Sequence, residues 1–201
     1  FDALHSMINA TAVADGHTVP ITRVPADELW TVKPVLDSGS LGVILPFVET
    51  AQQAIDAIAA TRYPPGGKRG FGPFYAASRW GLGLREYAEQ ADDAILRVVM
   101  LESKAAVDNA EEIMAVEGID VAFLAPLDLS QSLGVPGQFD APIYKEALAH
   151  LEACVKKTNA VMGTLGLDAQ QANEKIKQGY KFIMLSVDAA LIDSAARGLL
   201  N

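Results

Sequence analysis

One cysteine, three histidines and no apolar run near membrane length set the first limits on this 201-residue chain. A single thiol cannot form an internal disulfide. Cys154 lies in PIYKEALAHLEACVKK, where Ile143, Ala147, Leu151 and Cys154 share a helical face, so it reads as a core residue suited to a reducing cytoplasm. Although half of the residues are hydrophobic, no segment offers the ~20 consecutive apolar residues of a membrane helix, and the opening FDALHS has neither basic n-region nor apolar h-region. The reading is a soluble protein with no membrane partner. Basic residues are scarce too, 16 against 25 Asp and Glu, and the net charge of −9 is spread along the chain. Phosphate backbones need clustered Lys and Arg, so a nucleic-acid surface is excluded and a small-molecule partner is favoured. No GxGxxG or Walker loop follows an apolar run, and GGKRGFG lacks the Lys-Ser/Thr pair, so it reads as a shaping loop.

What is present is a repeated alternation of short apolar runs with helical patterns. TVPITRV (18–24), LGVILPFV (41–48), ILRVVML (95–101), IDVAFLA (119–125), AVMGTLG (160–166) and FIMLSVD (182–188) predict six strands. Between them, Thr50 with Gln53 three residues on predicts a capping box, Asp168 predicts another helix start, and Gly118 and Gly179 predict helix ends. Strands apolar on both faces and separated by helices imply a parallel sheet covered by helices, in one α/β domain over residues 1–201. A (β/α)8 TIM barrel usually takes roughly 250 residues, so this chain reads as a barrel short of N-terminal elements. FDALHS then resembles the tail of a strand, and 63–94 reads as a long Gly/Pro-rich aromatic loop.

Parallel α/β folds build their sites where strands end. Glu102 directly follows ILRVVML and Asp128 lies just past IDVAFLA, so two hard carboxylates converge there and suit Mg²⁺ or Mn²⁺, while the plainer alternative is a pair of solvent-facing helix caps. Arg23 ends TVPITRV, where a guanidinium can meet a carboxylate or a growing oxyanion. Asp2 and His5 stand at the end of the presumed first strand, a place for a proton carrier; His17 and His150 sit in a turn and a helix and receive no role.

The series VLDSG, GVILPFVETAQQA, ATRYPPGGKRGFGP, VVMLESKAAVDNAEEI and VEGIDVAFLAPLDLSQSLG resembles the HpcH/HpaI aldolase and citrate lyase β-type family over nearly the whole chain. The resemblance implies a modified (β/α)8 barrel that binds a divalent metal through Glu102 and Asp128 and cleaves or forms C–C bonds of 2-oxo acids. It further implies that Arg23 faces the oxo group of pyruvate, that His5 is the catalytic histidine of a D-x-x-H motif, and that Asp37 pairs with such a histidine from a neighbouring subunit. Leu127 and Asp128 match the segment that holds the substrate carboxylate, and Leu165 matches a position lining the aldehyde pocket. The expected partners are pyruvate or oxaloacetate and an aldehyde, in a homo-trimer or homo-hexamer. Two departures stand out: Met100 where many members carry Gln, and Ala125 where they carry Gly. Because Asp37 ends a helix before strand 41–46, it belongs at the end of the sheet opposite the site, and reaching His5 there requires a subunit boundary. Two other readings remain open, an acyl-CoA lyase of the citryl- or malyl-CoA type and a non-catalytic barrel serving as a binding module.

Overall fold

The computed structural model describes residues 3–14, 17–26 and 28–200. Its six strands are β1 (Ile21–Arg23), β2 (Gly42–Leu45), β3 (Leu96–Leu101), β4 (Val121–Leu124), β5 (Val161–Gly166) and β6 (Phe182–Leu185). All pair in parallel, in sequence order, and the sheet curls into a half-barrel. The six predicted strands are the six observed. Parallel neighbours require crossovers, and these are helical: α1 (Leu4–Ala14) precedes β1, α2 (Leu29–Asp37) joins β1 to β2, and α3 (Ala51–Thr61), α4 (Phe74–Arg79) and α5 (Leu84–Ala94) lead to β3. Then come α6 (Lys104–Asp108), α7 (Ala110–Met114), α8 (Pro126–Ser132), α9 (Pro142–Val155), α10 (Ala169–Lys177) and α11 (Asp188–Leu200).

Caps appear where the side chains call for them. Thr50 Oγ1 accepts the Gln53 amide at 3.2 Å and Gln53 Oε1 accepts the Thr50 amide at 3.0 Å, closing the box at the start of α3. Asp168 accepts the Gln171 amide at 2.8 Å and starts α10.

Strand alternation divides the sheet into two faces. Val43, Leu45, Val99, Leu101, Ala122 and Leu124 face the helices and join Leu36, Ala57, Ile113 and Leu151 in the main core. The other parity, Val98, Met100, Val121 and Phe123, with Ile44, Val161 and Phe182 packed beside them, forms a second apolar cluster on the concave side. Burying one such Leu or Phe contributes about 1.5–3 kcal/mol, so both faces favour the sheet.

Two expectations need correction. The described part of FDALHS does not finish a strand: Leu4 opens α1 and packs against the core, Ile8 one turn on is buried, and this i, i+4 spacing is helical. The region 63–94 is not one long loop, since α4 and α5 occupy much of it, and the turn before them is bound to the helical layer. There the amides of Lys68 and Arg69 each donate at 2.8 Å, to the carbonyls of Ala59 and Arg62. Gly67 permits this approach, because a Cβ would stand 2.5 Å from both of those carbonyl oxygens.

Arg69 is fully buried and donates from Nη2 to Asp37 Oδ1 at 2.7 Å, while Lys33 pairs with the other oxygen of the same carboxylate. Its Nε and Nη1 meet no acceptor among the described residues; the guanidinium carbon lies 4.6 Å from the Tyr63 ring centre and 5.7 Å from that of Tyr87. Removing Asp37 would strand a buried cation. Asp37→Ala is therefore expected to lower unfolding free energy by about 3–5 kcal/mol, read by urea denaturation. A loss below about 1 kcal/mol, the value of a surface pair, would refute this anchoring role.

Candidate active site

Five of the six strands bring a residue at or next to their C-terminal end to one cavity. Arg23 of β1, Met100 of β3, Phe123 of β4, Leu165 of β5 and Met184 of β6 share a parity through the strand registers, and together they line a space of about 290 Å³ at the strands' C-terminal end. Ala125 through Asp128, the start of α8, forms one side of it, and Ser186 and Val187 form another. Four residues picked out in the sequence therefore meet here: Arg23, Leu127, Asp128 and Leu165.

Glu102 stands two residues beyond Met100, on the same parity, and is 3 % exposed. Its Oε1 accepts the Phe47 amide at 2.7 Å. Phe47 holds a φ of 53°, a left-handed conformation that costs a non-glycine residue energy and here turns its N–H toward the carboxylate. Burial raises the Glu102 pKa above its ordinary value; the Phe47 amide opposes this, the Asp128 charge adds to it, Arg23 opposes it and Glu49 adds to it. Arg23 and Asp128 thus act on Glu102 through space. No ion pair to Glu102, Asp128 or Arg23 is found among the described residues, which leaves two acids and one cation around the mouth. Asp128 occupies the first turn of α8, where the helix dipole favours a negative charge.

The donor chemistry fits a hard divalent cation, since a buried carboxylate raised by its acidic neighbour gains from a positive charge between them. No group of three or more His, Cys, Asp or Glu able to hold a metal occurs among the described residues, so Glu102 and Asp128 would be the acidic ligands and water or substrate oxygens would complete the shell.

His5 and Asp37 do not join this cavity. His5 lies in the first turn of α1, with Nε2 3.5 Å from Ser38 Oγ and its ring edge-on to Tyr75, centres 4.7 Å apart. Asp37 ends α2 and is held by Arg69 and Lys33 on the side where the strands begin. Within its own chain His5 rests against Ser38, the residue after Asp37, and not against the cavity. The helix at α1 is the reason: it draws His5 toward the strands' N-terminal side. Asp2, the other acid considered for orienting His5, lies outside the described residues. The loop GGKRGFG does not line the cavity either; it packs at α2 and α3.

Sequence reasoning passed over Phe47, Phe123, Met184 and Ser186. Parity offered a signal for two of them, since counting alternate residues back from each strand end brings Phe123 and Met184 inward with Met100. Phe47 and Ser186, the two non-glycine residues with left-handed φ among those described, carry no signal in residue type.

An acid that keeps its proton to higher pH when folded binds more protons in that state than in the unfolded chain. Its contribution to stability is therefore complete below the ordinary carboxylate pKa and is lost as pH rises through the raised folded value. With divalent ions removed, Glu102→Gln is expected to flatten this decline and to gain on the native protein in urea-unfolding free energy as pH rises above the ordinary carboxylate pKa. Parallel stability–pH curves would show that Glu102 carries no such cost.

The profile of the HpcH/HpaI aldolase/citrate lyase family matches residues 1–195. The chain is 37% identical over 184 residues to the 2-dehydro-3,6-dideoxy-6-sulfogluconate aldolase of Pseudomonas putida, covering 90% of this chain and 71% of that protein. It is 36% identical over 185 residues to the 2-keto-3-deoxy-L-rhamnonate aldolase of Escherichia coli, covering 92% and 69%. Among solved structures, a HpcH/HpaI aldolase/citrate lyase family protein from Burkholderia cenocepacia superposes with a TM-score of 0.90 at 33% identity, covering 99% of this chain and 79% of that one. The match runs through every strand that brings a residue to the cavity, and on it the chain belongs to the HpcH/HpaI aldolase/citrate lyase family.

Proposed function

We propose that this protein is a class II aldolase, a divalent-metal-dependent carbon–carbon lyase that cleaves or forms 4-hydroxy-2-oxo acids through the enolate of pyruvate and also decarboxylates oxaloacetate. The observation that carries this reading is the buried, unpaired Glu102 carboxylate acted on by both Asp128 and Arg23 at the strand ends. The six strands are read as part of a (β/α)8 barrel, in keeping with a chain that spans 71% of its Pseudomonas putida relative.

Glu102 and Asp128 would hold Mg²⁺ or Mn²⁺, which when bound supplies Lewis-acid polarisation of the 2-oxo group. Arg23, free of any ion pair among the described residues, meets the oxo oxygen and offsets the negative charge that grows there as the C–C bond breaks. The amides of Leu127 and Asp128, in the first turn of α8 and without carbonyl partners in their own helix, face the substrate carboxylate. Leu165 flanks the aldehyde. With no histidine lining this cavity, the 4-hydroxyl proton passes to water; His5 or Asp37 would serve the cavity only from a neighbouring copy in a homo-trimer or homo-hexamer.

An acyl-CoA substrate would call for a larger, basic groove. A cavity of about 290 Å³ whose one cationic lining residue is Arg23 favours a free acid instead.

Adding Mg²⁺ or Mn²⁺ at about a hundredfold over its dissociation constant is expected to stabilise the native protein by about 2.7 kcal/mol and to leave Glu102→Gln unmoved, as read by thermal unfolding. Equal shifts in both proteins would eliminate the metal site and with it the aldolase reading. Arg23→Lys is expected to keep the metal-induced shift while losing about 10²- to 10³-fold in turnover of oxaloacetate, since a point charge does not reproduce the guanidinium fork. Near-native turnover would take Arg23 out of the reaction.

A further inference from the structure

Apart from Arg23 and Asp128, the cavity is walled chiefly by Met100, Phe123, Leu165, Met184 and Val187. Met100, two residues before Glu102, is a thioether, so even the wall next to Glu102 offers no amide. Ser186 is the remaining polar side chain of the lining. Its position is set by the backbone: φ is 65° and its amide donates to the Gly166 carbonyl at 3.2 Å.

We propose that the aldehyde partner is a short, unsubstituted alkyl aldehyde, and that these apolar walls select against hydroxylated or sulfonated tails. The inference rests on the aldolase reading and specifies the substrate class of that same site. In the synthetic direction, the methyl carbon of pyruvate gives up a proton to water and bonds to the carbonyl carbon of the aldehyde. The carbonyl π pair moves to oxygen, which takes a proton back from water and becomes the 4-hydroxyl. No oxidant or reductant enters. That new hydroxyl is one polar atom, and Ser186 is one partner for it.

Further hydroxyls on the tail would give up water for contact with sulfur and hydrocarbon, whereas each methylene there gains from leaving water. A sulfonate, such as the one in the name of the Pseudomonas putida relative's substrate, would need a second cation, and among the described residues Arg23 is the one cation of the lining. The volume of about 290 Å³ lies at the lower end of small-molecule sites, which limits the tail to a few carbons.

The test uses the full chain with Mn²⁺ and pyruvate, and compares kcat/KM for ethanal, propanal, butanal and pentanal with that for glyceraldehyde, which has as many non-hydrogen atoms as pentanal. The expected result is a rise of about fourfold per methylene and at least a tenfold preference for pentanal over glyceraldehyde. Met184→Gln, at a position 43 % exposed and so tolerant of the change, is expected to cut that preference about tenfold by adding an amide. Oxaloacetate decarboxylation, which needs no aldehyde, is followed in parallel. If decarboxylation proceeds while glyceraldehyde matches or exceeds pentanal, the inference falls and the aldolase reading stands; if it proceeds while no aldehyde reacts, the inference falls and only the metal-assisted enolate chemistry is left. If decarboxylation and all additions fail together, the reading falls and takes the inference with it. A preference unchanged by Met184→Gln overturns the assignment of the selecting wall.

Discussion

Parallel strands pair with their side chains in phase, so Arg23 beside Ile44, Ile44 beside Val98 and Val98 beside Val121 make a continuous row on one face of the sheet, and the placement of the site depends on that row. A slip of one residue in any strand would exchange its two faces. Met100 and Phe123 would then point into the helical layer, and Leu101 and Leu124 would line the cavity in their place. Apolar residues on both parities mean that hydrophobicity alone does not set the register. Shape contributes: Gly42 and Gly163 sit in the sheet where an added Cβ would stand 3.0 Å from side-chain carbons of Ile21 and Val121 respectively, so a larger residue at either position would push its neighbour aside by a few tenths of an ångström.

Glu102 shows what such a placement costs. The same parity that aims it at the concave face removes it from water, and the nearby charge of Asp128 adds to the burden. Left alone, this arrangement destabilises the fold, and the Phe47 amide offsets only part of it. Local destabilisation of this kind is typical of sites that await a ligand, and a divalent cation is the ligand whose charge answers the two acids at once.

The buried polar group at the other end of the sheet answers a different need. Arg69 is as hidden as any leucine in the core, yet its charge is met by Asp37 and by two tyrosine rings. This network ties the Gly/Pro-rich segment after α3 to the end of α2, and it employs the acid that family resemblance assigns to catalysis. In this chain the Asp37 carboxylate already has two cationic partners, so the structure gives it a structural task whatever a neighbouring copy adds.

Much of the fold was legible because it rests on local patterns. The six strands follow from β-branched runs bounded by glycine and helices, the capping box from Thr50 and Gln53, and the gathering of Arg23, Asp128 and Leu165 at one end from the rule that parallel strands share a direction. These are determined by the sequence itself, since propensity, period and turn chemistry act over a few residues. Tertiary structure decided the rest. That a helix starts at Leu4, that His5 rests against Ser38, that Arg69 claims Asp37, and that Phe47 at Glu102 and Ser186 in the cavity wall adopt left-handed backbone all depend on neighbours distant in sequence, and no local pattern records which distant side chain will arrive to satisfy a buried charge.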